Sequence, residues 1–130
     1  MKLRLLDDSI RLRLSRSEVV AAHEHGVVES QTRFADGSKF TYALEAAKGA
    51  KAPSAVYTRD RMVVTLPARE VSAWANDDDA VSLRGEVRLP DGAVLKLLVE
   101  KDFKCVSPRG DDEDQSDLFQ NRDQRDQTTC

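Results

Sequence analysis

Apolar and polar residues alternate with a period of two along most of this chain. Leu3 and Leu5 interleave with Lys2 and Arg4, and Ile10, Leu12 and Leu14 interleave with Arg11 and Arg13. Such alternation marks half-buried strands, here a hairpin turning at Asp7-Asp8. The period then changes. Ser15-Arg16-Ser17-Glu18 has the form of a capping box and leads into Val19, Ala22 and His23 on one helical face. Gly26 supplies the helix stop. A second hairpin is expected over residues 27–34 and 38–46, turning at Asp36-Gly37.

The same order then recurs. Val56, Tyr57, Met62, Val64 and Leu66 predict a hairpin around Arg59-Asp60, and Pro67 opens a short helix reaching about Asn76. Residues 80–89 and 93–101 pair across Pro90-Asp91-Gly92, and the turn-rich stretch Lys48–Pro53 joins the copies. Without gaps, residues 3–24 align on 55–76, with Leu14 on Leu66, Glu18 on Glu70 and Val19 on Val71. Residues 31–46 align on 86–101, placing Arg33 on Arg88, Asp36-Gly37 on Asp91-Gly92 and Glu45 on Glu100. The expected fold is therefore α+β, mainly β. Two hairpin–helix–hairpin repeats, 3–46 and 55–101, form an antiparallel sheet or partly closed barrel covered by two short helices.

Composition changes the picture at the C-terminal end. Residues 1–102 carry 16 Lys/Arg and 16 Asp/Glu, whereas residues 103–130 carry 4 and 7. The net charge of −3 thus belongs to the last segment. Residues 1–102 are expected to form a single domain, and residues 103–130 an acidic mobile tail. Aromatics make up only 5% of the chain, so the core must be aliphatic. The whole-chain charge lacks a basic nucleic-acid footprint. No apolar run suits a membrane helix or a signal peptide, and two cysteines, Cys105 and Cys130, suit a reducing cytoplasm.

Outward positions differ between the copies. Arg4, Arg11, Arg13, Lys39 and Ala43 of the first stand against Val56, Val63, Thr65, Val94 and Leu98 of the second. The expectation is a basic face on one half and an aliphatic face on the other. Val56, Val63, Val94 and Leu98 are then a candidate surface for a protein partner or a homodimer, or are covered by the same chain. The matched pair Arg33 and Arg88 is a candidate anion grip in a groove between the repeats. Cross-strand pairing of these arginines with Glu45 and Glu100 is the structural alternative.

Little else suggests chemistry. His23 and His25 point to different sides of a helix and lack a third ligand, and Asp77-Asp78-Asp79 lacks the spacing of a calcium loop. Trp74, opposite Ala22 of the first copy, reads as core. No phosphate loop or nucleophile elbow is present, and no metal, cofactor or catalytic set is expected. At the end of the last strand, Lys101-Asp102-Phe103-Lys104-Cys105 with Arg109 surrounds Cys105 with cations, which favours a thiolate. Burial of Cys105 as a small hydrophobe is the alternative.

Several of these stretches carry a resemblance. Ser9-Ile10-Arg11-Leu12-Arg13-Leu14, Thr41-Tyr42-Ala43-Leu44-Glu45, Trp74-Ala75-Asn76 and Glu100-Lys101-Asp102-Phe103-Lys104-Cys105 with Pro108-Arg109 resemble a family of small bacterial proteins of unassigned function. The resemblance implies a bacterial cytosolic protein and directs attention to the stretch from Lys101 to Phe119. Within it, Gln115-Ser116-Asp117-Leu118-Phe119 resembles the peptide by which bacterial replication and repair proteins dock on the sliding clamp. On that likeness, Leu118 and Phe119 would enter a partner's apolar pocket, Gln115 would bond at its rim, and Asp117 would flank them. Folding back of Leu118 and Phe119 onto the body is the alternative. The sequence thus favours a protein-interaction module, with a small-molecule anion-binding or catalytic domain as the second reading.

Overall fold

The computed structural model describes residues 1–103 and 116–120. Its elements follow the expected order. They are β1 (Lys2–Leu5), β2 (Ser9–Leu14), α1 (Arg16–His25), β3 (Val27–Arg33), β4 (Lys39–Ala47), β5 (Ser54–Thr58), β6 (Arg61–Pro67), α2 (Ala68–Asn76), β7 (Ser82–Arg88) and β8 (Val94–Lys101). The mainly-β α+β class, the eight strands and the two helices agree with the sequence pattern. Local signals act where they were expected. Ser15 Oγ accepts from the Glu18 N–H, and the Glu18 carboxylate accepts from the Ser15 N–H. Gly26 ends α1 at φ 79°, a left-handed conformation that side chains resist. The tight turn between β5 and β6 holds both Arg59 and Asp60 at positive φ.

The strands do not form one antiparallel sheet. They form two four-stranded sheets, β1-β2-β8-β7 (sheet A) and β3-β4-β6-β5 (sheet B), which do not close into a barrel. Each helix carries the chain from one sheet to the other: α1 leads from β2 to β3, and α2 from β6 to β7. Each sheet therefore contains one hairpin from each repeat. The hairpins meet at the sheet centre in parallel, β2 with β8 and β4 with β6. The symmetry survives in detail. Leu14 lies beside Lys101 in sheet A, as Leu66 lies beside Ala46 in sheet B. The Lys101 N–H donates to Val81 O at 3.0 Å, and the Ala46 N–H donates to Gly26 O at 2.8 Å.

The inner faces share one aliphatic core. Ile10, Leu12, Leu14, Leu97 and Val99 come from sheet A, and Leu44, Met62, Val64 and Leu66 from sheet B. The helices add Val19, Ala22, Val71 and Trp74, and the Trp74 indole donates to Val81 O at 3.0 Å. The edges of the sheets also approach each other. A Cβ placed on Gly85 of β7 would lie 2.8 Å from the Pro53 ring, so only glycine fits there. Edge strand β1 is less buried than its alternation suggests. Leu3 packs on the core, but Leu5, at the strand end, is 58% exposed. No helix among the described residues is long and apolar enough to cross a membrane.

Candidate functional site

The last strand, β8, and the first turn of α1 converge at one end of sheet A. Lys101 follows Leu97 and Val99 on the inward side of β8 and is only 4% exposed. Its ammonium donates to Asp77 O at 2.9 Å and lies 5.6 Å from the ring centres of both Trp74 and Phe119. A carbonyl and two π faces are partners that a desolvated cation requires. Asp102, equally buried, pairs with Lys2 Nζ at 2.8 Å, and its N–H donates to Leu14 O.

Residues 116–120 lie against this same end. Asp117 O accepts from the Arg16 N–H at 2.9 Å, and the Asp117 carboxylate accepts from the Ser17 hydroxyl and N–H. These are the orphan donors of the α1 N-terminus, where a negative charge is also favoured by the helix dipole. The hydrogen bond from the Ser17 hydroxyl, with help from Ser15, holds the Asp117 carboxyl below the usual carboxylate range. Leu118 is 6% exposed. The Phe119 N–H donates to Asp102 O, and its ring meets Phe103 at 5.5 Å between centres.

A pocket of about 350 Å³ opens between these parts, lined by Arg16, Asp78, Lys101, Phe103, Phe119 and Gln120. Two cations and two aromatic rings face one space beside an amide and a carboxylate. The repeat provides an internal comparison. The counterparts of Arg16, Lys101 and Trp74, at the offsets that relate the two copies, are Ala68, Ala46 and Ala22. The fold is therefore satisfied by alanine at all three places in one copy. The charged and aromatic set belongs to one end only and is not a requirement of the architecture.

The other sequence-singled residues fall as follows. Lys101, Asp102 and Phe103 are brought together with Asp117, Leu118 and Phe119. Leu118 and Phe119 face the body and are not presented to another protein in this conformation. Gln115, Cys105 and Arg109 lie outside the described residues. Arg33 and Arg88 are exposed at the outer ends of β3 and β7, on different sheets, and do not line this pocket. Their pairing with Glu45 and Glu100 is overturned by the register. Glu45 lies opposite Val27 and Thr65, and Glu100 opposite Ser82 and Arg13. Glu100 instead binds Arg13 Nε at 2.6 Å and Arg11 Nε at 2.7 Å.

The division into a basic half and an aliphatic half is also corrected. Because each sheet mixes the repeats, Val56 and Val63 pair on sheet B, whereas Val94 and Leu98 lie on β8 of sheet A among arginines. The four do not form one patch. Val56 is 57% exposed, while Ala43, beside Val63, is fully buried on a line of strands bridged by Arg61 and Glu29 at 2.7 Å. Among the described residues there is no cluster of three or more His, Cys, Asp or Glu that could hold a metal. His23 and His25 are exposed at the end of α1. Sequence reasoning missed Arg16, Asp78 and Gln120. The alanines at the places equivalent to Arg16 and Lys101 were readable from the repeat, but only the fold shows that these places meet.

The architecture is mainly β, with the order hairpin, helix, hairpin occurring twice, each sheet taking one hairpin from each half, and one chemically distinct end. The chain belongs to the family of unknown function DUF7009, whose profile matches residues 1–123. No curated protein and no solved structure matches it.

Proposed function

We propose that the protein binds a small organic carboxylate in the pocket at the end of sheet A. The observation that carries this reading is that Arg16 and Lys101, which line an open pocket, and Trp74, buried beneath Lys101, stand where the other copy has Ala68, Ala46 and Ala22. Burying a lysine at a position where alanine serves the same fold costs desolvation energy. Lys101 and Arg16 together give the pocket two cationic side chains toward an anionic ligand, which gives that burial a use. Arg16 offers a planar fork suited to a carboxylate, and the Phe103 and Phe119 rings offer an apolar wall for the ligand body. A phosphate dianion fits less well. The α1 N-terminus, the natural seat for phosphate, is taken by Asp117, and Asp78 adds a second negative charge.

Phe119 and Gln120 belong to the segment after the body, so ligand binding and docking of that segment are linked. A ligand that binds only the docked state stabilises it by mass action. The test is a titration of the full chain with benzoate, phenylacetate and phenyl phosphate, read by Trp74 fluorescence and melting temperature. Trp74 is the sole tryptophan and lies under Lys101. The carboxylates are expected to bind more tightly than phenyl phosphate. Arg16→Ala and Lys101→Met are each expected to weaken binding at least tenfold, while Ala68→Ser at the equivalent end leaves it unchanged. Equal binding by all three variants would remove the pocket from consideration.

A further inference from the structure

The outer surface of sheet A is a second feature that the pocket does not use. Four strands place Arg4, Arg11, Leu98 and Arg84 side by side in one row, with Arg4 opposite Arg11, Arg11 opposite Leu98 and Leu98 opposite Arg84. The equivalent row on sheet B is Val56, Val63, Ala43 and Glu29. Three arginines thus stand where the other copy has two valines and a glutamate. Flanking rows add Lys96, opposite Ser9 and Glu86, and Arg13, opposite Lys2. Glu100 holds Arg11 and Arg13 in place, whereas Arg4 and Arg84 are exposed and make no ion pair among the described residues. A pocket of about 340 Å³ opens in this surface, with Arg4, Arg84 and Lys96 at its walls and Leu6 and Leu98 supplying apolar contact.

We infer that this face docks an acidic protein segment that carries an apolar side chain. Charge complementarity selects the partner's sign. The apolar patch around Leu98, between two arginines, selects a peptide with an aliphatic anchor over a bare polyanion. A nucleic acid is disfavoured, because the described residues that line this pocket include no aromatic ring on which bases could stack and the chain as a whole carries a net charge of −3. Cations on a sheet surface steer and orient an acidic partner, and the contact weakens with salt. This inference is independent of the carboxylate pocket, which lies at the end of the sheet and shares no lining residue with this one.

The test uses the full chain with a fluorescein-labelled peptide, Asp-Glu-Asp-Leu-Asp-Glu-Asp, and with labelled single- and double-stranded 20-nucleotide DNA, read by anisotropy. The peptide is expected to bind, to lose at least tenfold in affinity in Arg4→Glu/Arg84→Glu, and to weaken as salt rises from 50 to 300 mM. Lys39→Glu on sheet B is expected to leave binding unchanged. Arg84→Gln, a milder change at an exposed position, is expected to give a partial loss and guards against misfolding of the double variant. Four results would overturn the inference: no peptide binding, equal loss on both sheets, tighter binding of either DNA, or a tenfold gain on neutralising Asp111–Asp114, which would assign the face to this chain's own acidic run.

Discussion

Asp117 shows how one side chain couples two parts of the chain. It closes the α1 N-terminus from the far end of the sequence, bonded to Ser17 and, through its carbonyl, to the Arg16 N–H. Its carboxyl titrates below the ordinary carboxylate value, mainly because of the Ser17 hydroxyl. The stabilisation is therefore fully present above the ordinary value and is lost as pH falls through the lowered one. The melting temperature of the protein should exceed that of Asp117→Asn at neutral pH, and the gap should begin to narrow below about pH 4, near the unperturbed Asp value, and close only once pH has fallen through the lowered one. A gap that persists in acid would mean that the charge does not hold the segment. Nothing in the sequence marked Asp117 as the partner of Ser17, since 100 residues separate them. The capping box at Ser15 and Glu18, by contrast, was legible because both halves lie within one turn.

At the scale of elements, the sequence resolved what is local and left pairing open. Alternation assigned Ile10, Leu12 and Leu14 to an inward face correctly, because strand period alone decides that. It could not decide which strand lies beside β2. The expected antiparallel sheet did not include the parallel pairs β2 with β8 and β4 with β6, which arise because the helices carry each second hairpin to the opposite sheet. Gly85 shows the consequence. In the fold it admits Pro53 from the connector between repeats, near the meeting of β5 and β7, a closeness that a glycine within a strand does not by itself reveal. Gly85→Ala is expected to lower stability by about 1–3 kcal/mol, the range for overpacking a filled site, in a denaturant titration with unchanged slope. A neutral or stabilising result would show that the connector yields freely.

For the whole molecule, duplication is what makes the functional reading possible. Two copies of one plan should meet the same structural demands, so a difference between equivalent places is informative. Arg16, Lys101 and Trp74 against Ala68, Ala46 and Ala22 separate one end from the other, much as Arg4, Arg11 and Arg84 separate the two outer faces. The sequence displayed the repeat and pointed to the Lys101 junction. It hid the pocket because Arg16, Asp78 and Phe119 come from three distant stretches. The most direct measurement is chemical-shift mapping of the full, isotope-labelled chain as benzoate is added. The account predicts that shifts concentrate at the Trp74 indole and at the amides of Arg16, Lys101, Phe103 and Phe119, with none at Ala22, Ala46 or Ala68. Shifts at both ends alike, or none at the sheet A end, would contradict it.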